Sequence, residues 1–207
     1  MSEMFCYQCQ EAMRNTGCNT RKGMCGKTAD VSNLQDLLVY LLKGISFWGT
    51  RGRNIGVQDD ETDLFVAKAL FATITNANFD TDRFVELIKK AVELRDNLRS
   101  RAQGRCNELH NSNCNGSGPD WAGWHPDNYE IDTLLAKAHT IGVMDDPDLD
   151  PDVRSLRELI IYGLKGMAAY ADHAYLVGGR DESVLAFMQE ALEATTNNDL
   201  GVNELVG

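Results

Sequence analysis

Basic residues are in short supply in this chain. Twenty Lys and Arg stand against 31 Asp and Glu, a formal net charge of -11 over 207 residues. Phosphate backbones are bound by clustered cations, so this balance excludes a nucleic-acid surface. The surplus of acid serves solubility and, secondarily, attraction to a basic redox partner. Long hydrophobic runs are also missing. No window reaches the roughly 18 apolar residues of a membrane span, and Met1-Ser2-Glu3-Met4-Phe5 has neither a basic nor an apolar stretch of the kind that opens a signal peptide. The expectation is a cytoplasmic protein with no membrane partner, in which thiols stay reduced. No strand pattern of useful length is present. Nor is there a Ser/His/Asp order, a phosphate-binding glycine loop or a paired-carboxylate spacing.

What the chain does have is cysteine, and it is concentrated. Four of its six cysteines, Cys6, Cys9, Cys18 and Cys25, fall in the first 25 residues with spacing C-x2-C-x8-C-x6-C. Two thiolates separated by two residues can face one metal centre, and two more close its coordination sphere. Gly17 and Gly23 permit the positive φ such a turn needs, and Asn15 and Asn19 tolerate it. An all-cysteine set suits a tetrahedral zinc or an iron–sulfur cluster. Only the first pair forms a knuckle, which favours iron–sulfur, whereas a disulfide pair of pairs would require export. Phe5, Tyr7 and Trp48 are candidates to shield such a centre from water, or simply core residues.

The composition, 43% hydrophobic and 25% charged, is that of an ordinary globular protein. Apolar residues recur at helical spacing throughout, so the expected fold is all-α. Ser32 and Gln35 read as a capping box before the stripe Leu34, Leu37, Leu38, Leu41, Leu42 and Ile45, with Gly49, Gly52 and Gly56 ending that helix. A second helix is expected over 62–76. A third is expected from an Asp80 N-cap with Phe79 and Phe84 as a hydrophobic staple, its end marked by Arg95, Arg99, Arg101 and Arg105. Later helices are expected around Ile131 to Ile141, from Asp150-Pro151 (the longest, stopped by Gly178-Gly179) and from Asp181. Val202 to Gly207 reads as the first turn of a helix that continues beyond the chain. This gives a cysteine segment over 1–30, a three-helix bundle over 31–104, a linker over 105–129 and a second three-helix bundle over 130–207.

Cys106, His110 and Cys114 are spaced C-x3-H-x3-C, a second metal site on paper. The poor helix formers around them favour ordinary thiols and a solvent-facing histidine. His173 reads as a packing residue or a dipole partner of its helix. His125 and His139 carry no arrangement of note.

Several strings in the sequence are long and specific. Phe5-Cys6-Tyr7-Gln8-Cys9-Gln10-Glu11, Asn15-Thr16-Gly17-Cys18, Lys22-Gly23-Met24-Cys25-Gly26-Lys27, Leu70-Phe71-Ala72-Thr73-Ile74-Thr75-Asn76-Ala77-Asn78 and Gly163-Leu164-Lys165-Gly166-Met167-Ala168-Ala169-Tyr170 together resemble the hybrid cluster protein family, also called prismane protein or hydroxylamine reductase. The resemblance implies the helical first domain of such an enzyme, two three-helix bundles with an iron–sulfur cluster held by Cys6, Cys9, Cys18 and Cys25. It implies a 4Fe-4S cubane where the later gaps are short and a 2Fe-2S cluster where they are wide. The x8 gap here matches the first group and the x6 gap the second, and the cubane is favoured. The family's hybrid iron–sulfur–oxygen cluster, which reduces hydroxylamine or nitric oxide, takes its ligands from later domains absent here. Implied partners are those remaining domains and an electron donor protein. A zinc-stapled or metal-free helical interaction domain, self-associating through exposed apolar surface, is the alternative.

Overall fold

The computed structural model describes residues 4–111, 114 and 116–206. Among these it holds eight α-helices and no strand: α1 Ala29–Arg53, α2 Asp60–Ala72, α3 Thr81–His110, α4 Asp120–Gly123, α5 Ile131–Ala138, α6 Pro151–Leu176, α7 Glu182–Ala194 and α8 Val202–Val206. The expectation of an all-α chain holds.

The helix starts show which local signals win. Asp80, Asp150 and Asp181 cap α3, α6 and α7 as expected, each carboxylate accepting from backbone N–H groups of the first turn. The second helix starts earlier than read, because Asp59 caps it through the Thr62 N–H at 3.0 Å. In α1 the cap is Thr28, whose hydroxyl accepts from Val31 N, and not Ser32. Ser32 and Gln35 are buried inside the helix, where the Gln35 amide serves a tertiary partner described below. Gly49 and Gly52 do not end α1. They lie within it because a neighbour needs the space, a Cβ at Gly49 falling 2.0 Å from Gln189 Oε1. The helix ends at Arg53, and the chain turns away at Gly56, with φ +77°.

The longest helix is α3, at 30 residues, not α6 at 26. It runs past Arg95 to His110, so its arginines act as cross-links and not as a C-terminal charge cluster. Arg95 is fully buried and donates to Trp124 O at 2.6 Å, while Arg101 reaches Gln58 O at 2.6 Å. His125 joins the same cluster through Asp96 at 3.0 Å. Phe84 is fully buried but Phe79 is 44% exposed, so the staple has only its inner half in the core.

Helix α1 forms the centre of the fold. Leu34, Leu37, Leu38, Leu41, Leu42 and Ile45 are all fully buried, and α1 packs on α3, α7, α4 and α5. Helix α2 packs on α6 and α7, so a single hydrophobic core draws on the whole chain from Val31 to Leu192. Each buried Leu or Ile contributes about 1.5–3 kcal/mol, which makes this shared core the main source of stability.

Candidate metal centre

The cysteine loop precedes α1 and carries almost no apolar core of its own. Its small cluster is Met4, Cys18 and Ala29, with Cys6 and Met13 against it. Backbone bonds give it shape. Cys6 and Cys18 exchange N–H···O bonds of 2.9 and 2.8 Å, which brings two of the predicted ligands side by side. The chain between them turns through the short 3-10 segment Met13–Asn15, where Arg14 and Asn15 both take positive φ. Gly17 follows at φ +106°, and a Cβ there would lie 2.6 Å from the Phe5 ring.

Gly23 brings in the other end. A Cβ at this position would sit 3.6 Å from Cys25 Sγ and 3.8 Å from Cys18 Sγ, so these two sulfurs flank the same bare backbone. Gly23 N donates to Lys27 O at 2.8 Å and closes the turn that carries Cys25. Cys9 starts its own turn, its carbonyl accepting from Ala12 N at 3.1 Å. All four thiols are free, Cys18 buried and the other three half-buried. No three of the four sulfurs lie within 4.8 Å of one another; among the described residues the three-donor group that does is Asp60, Asp63 and Glu182. That acidic group is neutralised locally, Asp63 by Arg53 at 2.5 Å and Asp60 and Glu182 by Arg180 at 3.0 and 3.1 Å.

Behind the loop lies a layer of buried charge that sequence patterning did not disclose. Lys27 is 1% exposed, its ammonium donating to Gln35 Oε1 at 2.7 Å and to Cys6 Sγ at 3.7 Å. Tyr7 donates to Glu158 Oε2 on α6 at 2.7 Å. Gln8, with its amide oriented to satisfy both ends, accepts from Lys165 Nζ at 2.9 Å and donates to Thr73 O at 3.1 Å. The loop is therefore fastened to α1, α6 and the end of α2 by polar bonds. Burial pushes the Asp36 carboxyl up to about 7 against the pull of Lys165, and the Lys165 ammonium down to about 8 against the pull of Asp36. Burial, reinforced by Glu158, pushes the Tyr7 hydroxyl well above its usual range. The available signal was the pair Gln35-Asp36 inside a leucine stripe, together with Lys165 among the apolar residues of α6.

Other candidates separate from this centre. Phe5 and Tyr7 lie in the loop with ring centroids 6.2 Å apart, but Trp48 belongs to the core, its indole N–H donating to Ala122 O at 2.8 Å. Cys106 and Cys114 are joined as a disulfide, with Cα atoms 6.0 Å apart. The expectation of ordinary thiols there is corrected, as is the alternative of a second metal site. The reason is local: α3 continues to His110 and Asn111 takes φ +45°, which returns the chain toward Cys106. His173 packs edge-on against Phe71 at 5.5 Å, the packing role expected of it.

The donor set fits a metal group on its own chemistry: four free thiols, a glycine cradle between two of them, and a buried cation beside a third. Comparison with known proteins gives it a context. A model of the Prismane/CO dehydrogenase family matches residues 4–206. The hydroxylamine reductase of Halothermothrix orenii is 49% identical over 202 residues, covering 98% of this chain and 36% of the relative. Those of Petrotoga mobilis and Thermosipho melanesiensis are 45% and 47% identical, covering 99% and 98% of this chain and 37% and 36% of theirs. The chain spans little more than a third of the length of these curated relatives. With nearly its whole length matched, this chain belongs to the Prismane/CO dehydrogenase family.

Proposed function

We propose that this chain binds an iron–sulfur cluster, a 4Fe-4S cubane in preference to 2Fe-2S, through Cys6, Cys9, Cys18 and Cys25. In the complete protein it would pass single electrons toward the catalytic cluster of a hydroxylamine reductase. Proteins of this family bind iron–sulfur clusters, and the observation that carries the reading is the set of four unpaired thiols on one loop. A bound cluster supplies a one-electron couple whose potential follows its charge, its hydrogen bonds and its exposure. The chain's own part is to hold and tune that couple. Lys27 sets a buried positive charge beside Cys6, which favours the more negative, reduced state. Phe5 and Tyr7 limit access of water from one side.

Along α6 and just past its end, Leu159, Tyr170 and Val177 are 62%, 81% and 86% exposed, an apolar face suited to the other domains of an enzyme of the relatives' length. Among the described residues no helix is long and apolar enough to cross a membrane.

The test is anaerobic reconstitution with iron and sulfide, followed by metal and acid-labile sulfide counts, absorbance and EPR of the reduced protein. Roughly four irons and four sulfides per chain, with a fast-relaxing signal on reduction, is the expected result. Stoichiometric zinc without labile sulfide would end the proposal in favour of the zinc-stapled alternative.

A further inference from the structure

A cavity of about 200 Å³ lies between the cysteine loop, α1 and α6, and reaches Cys6. At roughly 30 Å³ per water molecule it holds about six waters, or a small ion with fewer. Four cations line it, Lys43, Arg154, Arg157 and Lys165. Three acids face them: Asp36, Asp146 and Glu158.

Most of these groups are already engaged. The Glu158 carboxylate accepts from Tyr7 at 2.7 Å, and Asp146 Oδ1 accepts from the backbone of Asp148 and Leu149, both at 3.1 Å. Lys165 donates to Gln8. The terminal nitrogen Nη2 of Arg157 donates to Asn197 O at 2.8 Å, and that of Arg154 to Leu149 O at 3.2 Å. Three donors are left without an acceptor. The Nε–H groups of Arg154 and Arg157 are buried without a partner. Lys43 has neither a hydrogen bond nor an ion pair among the described residues, and burial holds its ammonium below the usual range. Asp36 is the acid with neither oxygen bonded, and it is not within ion-pair distance of Lys43.

A buried donor left unsatisfied costs about 1–3 kcal/mol, so the Nε–H groups of Arg154 and Arg157, with the unbonded ammonium of Lys43 in the same cavity, call for acceptors. An oxyanion brings acceptors only, and its charge matches the cationic surplus of the wall. We propose that this cavity is a binding site for a small oxyanion, planar or tetrahedral, held by Lys43 Nζ, Arg154 Nε and Arg157 Nε.

The test titrates the 207-residue chain with sodium formate and, separately, with sodium phosphate, at constant ionic strength with chloride as the reference anion. Thermal unfolding and calorimetry are read in parallel, and neither readout depends on iron. At least one anion should raise Tm saturably above the chloride curve, formate marking a planar preference and phosphate a tetrahedral one. Lys43→Met should weaken that binding at least tenfold without lowering Tm in chloride, because the cost of burying its ammonium outweighs the pull of Glu158 and Asp36 on it. If Lys43→Met does not fold, Arg157→Gln carries the same expected loss. Curves indistinguishable from chloride for both anions, or a folded variant binding as tightly as the unchanged chain, would overturn the site and leave a water-filled cavity.

Discussion

The helical body and the cysteine loop are built on opposite terms. The body rests on fully buried leucines of α1 clasped by α3 and α7, whereas the loop has a three-residue apolar cluster and is tied down by Lys27, Tyr7 and Gln8 through polar bonds. Apolar burial is tolerant of detail and yields a fold that stands without a ligand. Buried polar bonds are specific but contribute little net stability each. The body therefore supplies free energy, and the loop supplies geometry for whatever its sulfurs hold.

The sharpest way to break this contrast is a pair of substitutions. Leu38→Ala, at a fully buried site in α1, should cost about 2–5 kcal/mol in chemical denaturation of the metal-free chain. Cys18→Ser should cost the metal-free chain under about 1 kcal/mol yet abolish stoichiometric iron binding on reconstitution. Equal losses from the two would show that loop and body form one cooperative unit.

Buried charge behind the loop gives the next effect. The carboxyl of Asp36 is raised in the fold above its unfolded value near 3.8, so the folded state holds a proton that the unfolded state has lost. Stability from this group is present below about pH 4 and is lost as pH rises toward about 7. Asp36→Asn removes that dependence. The variant should gain on the unchanged chain between pH 5 and pH 8, as read from denaturation midpoints, and a gain in the opposite direction would mean that ion pairing outweighs burial at this site.

How far the sequence disclosed this molecule follows the same division. Caps such as Asp80, Asp150 and Asp181 were readable because cap, first turn and apolar stripe all sit within a few residues of one another. The start of α1 was not, since Gln35 turns to Lys27 and leaves Thr28 to cap the helix. The four clustered thiols were legible from their spacing alone. The layer behind them was not, because Lys27 and Asp36 lie far along the chain from Glu158 and Lys165 and meet them only when α6 packs. Cys106 and Cys114 were misread for a related reason, as their approach depends on a backbone reversal at Asn111.

Two smaller effects sharpen the comparison. Lys27→Met deletes the cation 3.7 Å from Cys6 Sγ, and a reconstituted cluster should become harder to reduce by roughly 50 mV, about 1 kcal/mol for a one-electron couple, in an EPR-monitored redox titration. An unchanged potential would reduce Lys27 to a packing role. Asp80→Ala, far from the loop at the start of α3, should lower stability by about 1 kcal/mol and leave iron content and potential untouched. A change in either would mean that α3 reports on the cysteine segment.

The bonds from Tyr7 to Glu158 and from Gln8 to Lys165 join the start of the chain to residues more than 150 positions later. At the usual pace of about 5–20 residues per second, the ribosome needs roughly 8–30 s to make that stretch. The thiols emerge first, but the wall that steadies them emerges late. The thiols of a growing chain spend that interval without the wall formed by α6, dependent on the reducing power of their surroundings or on a carrier that shields them.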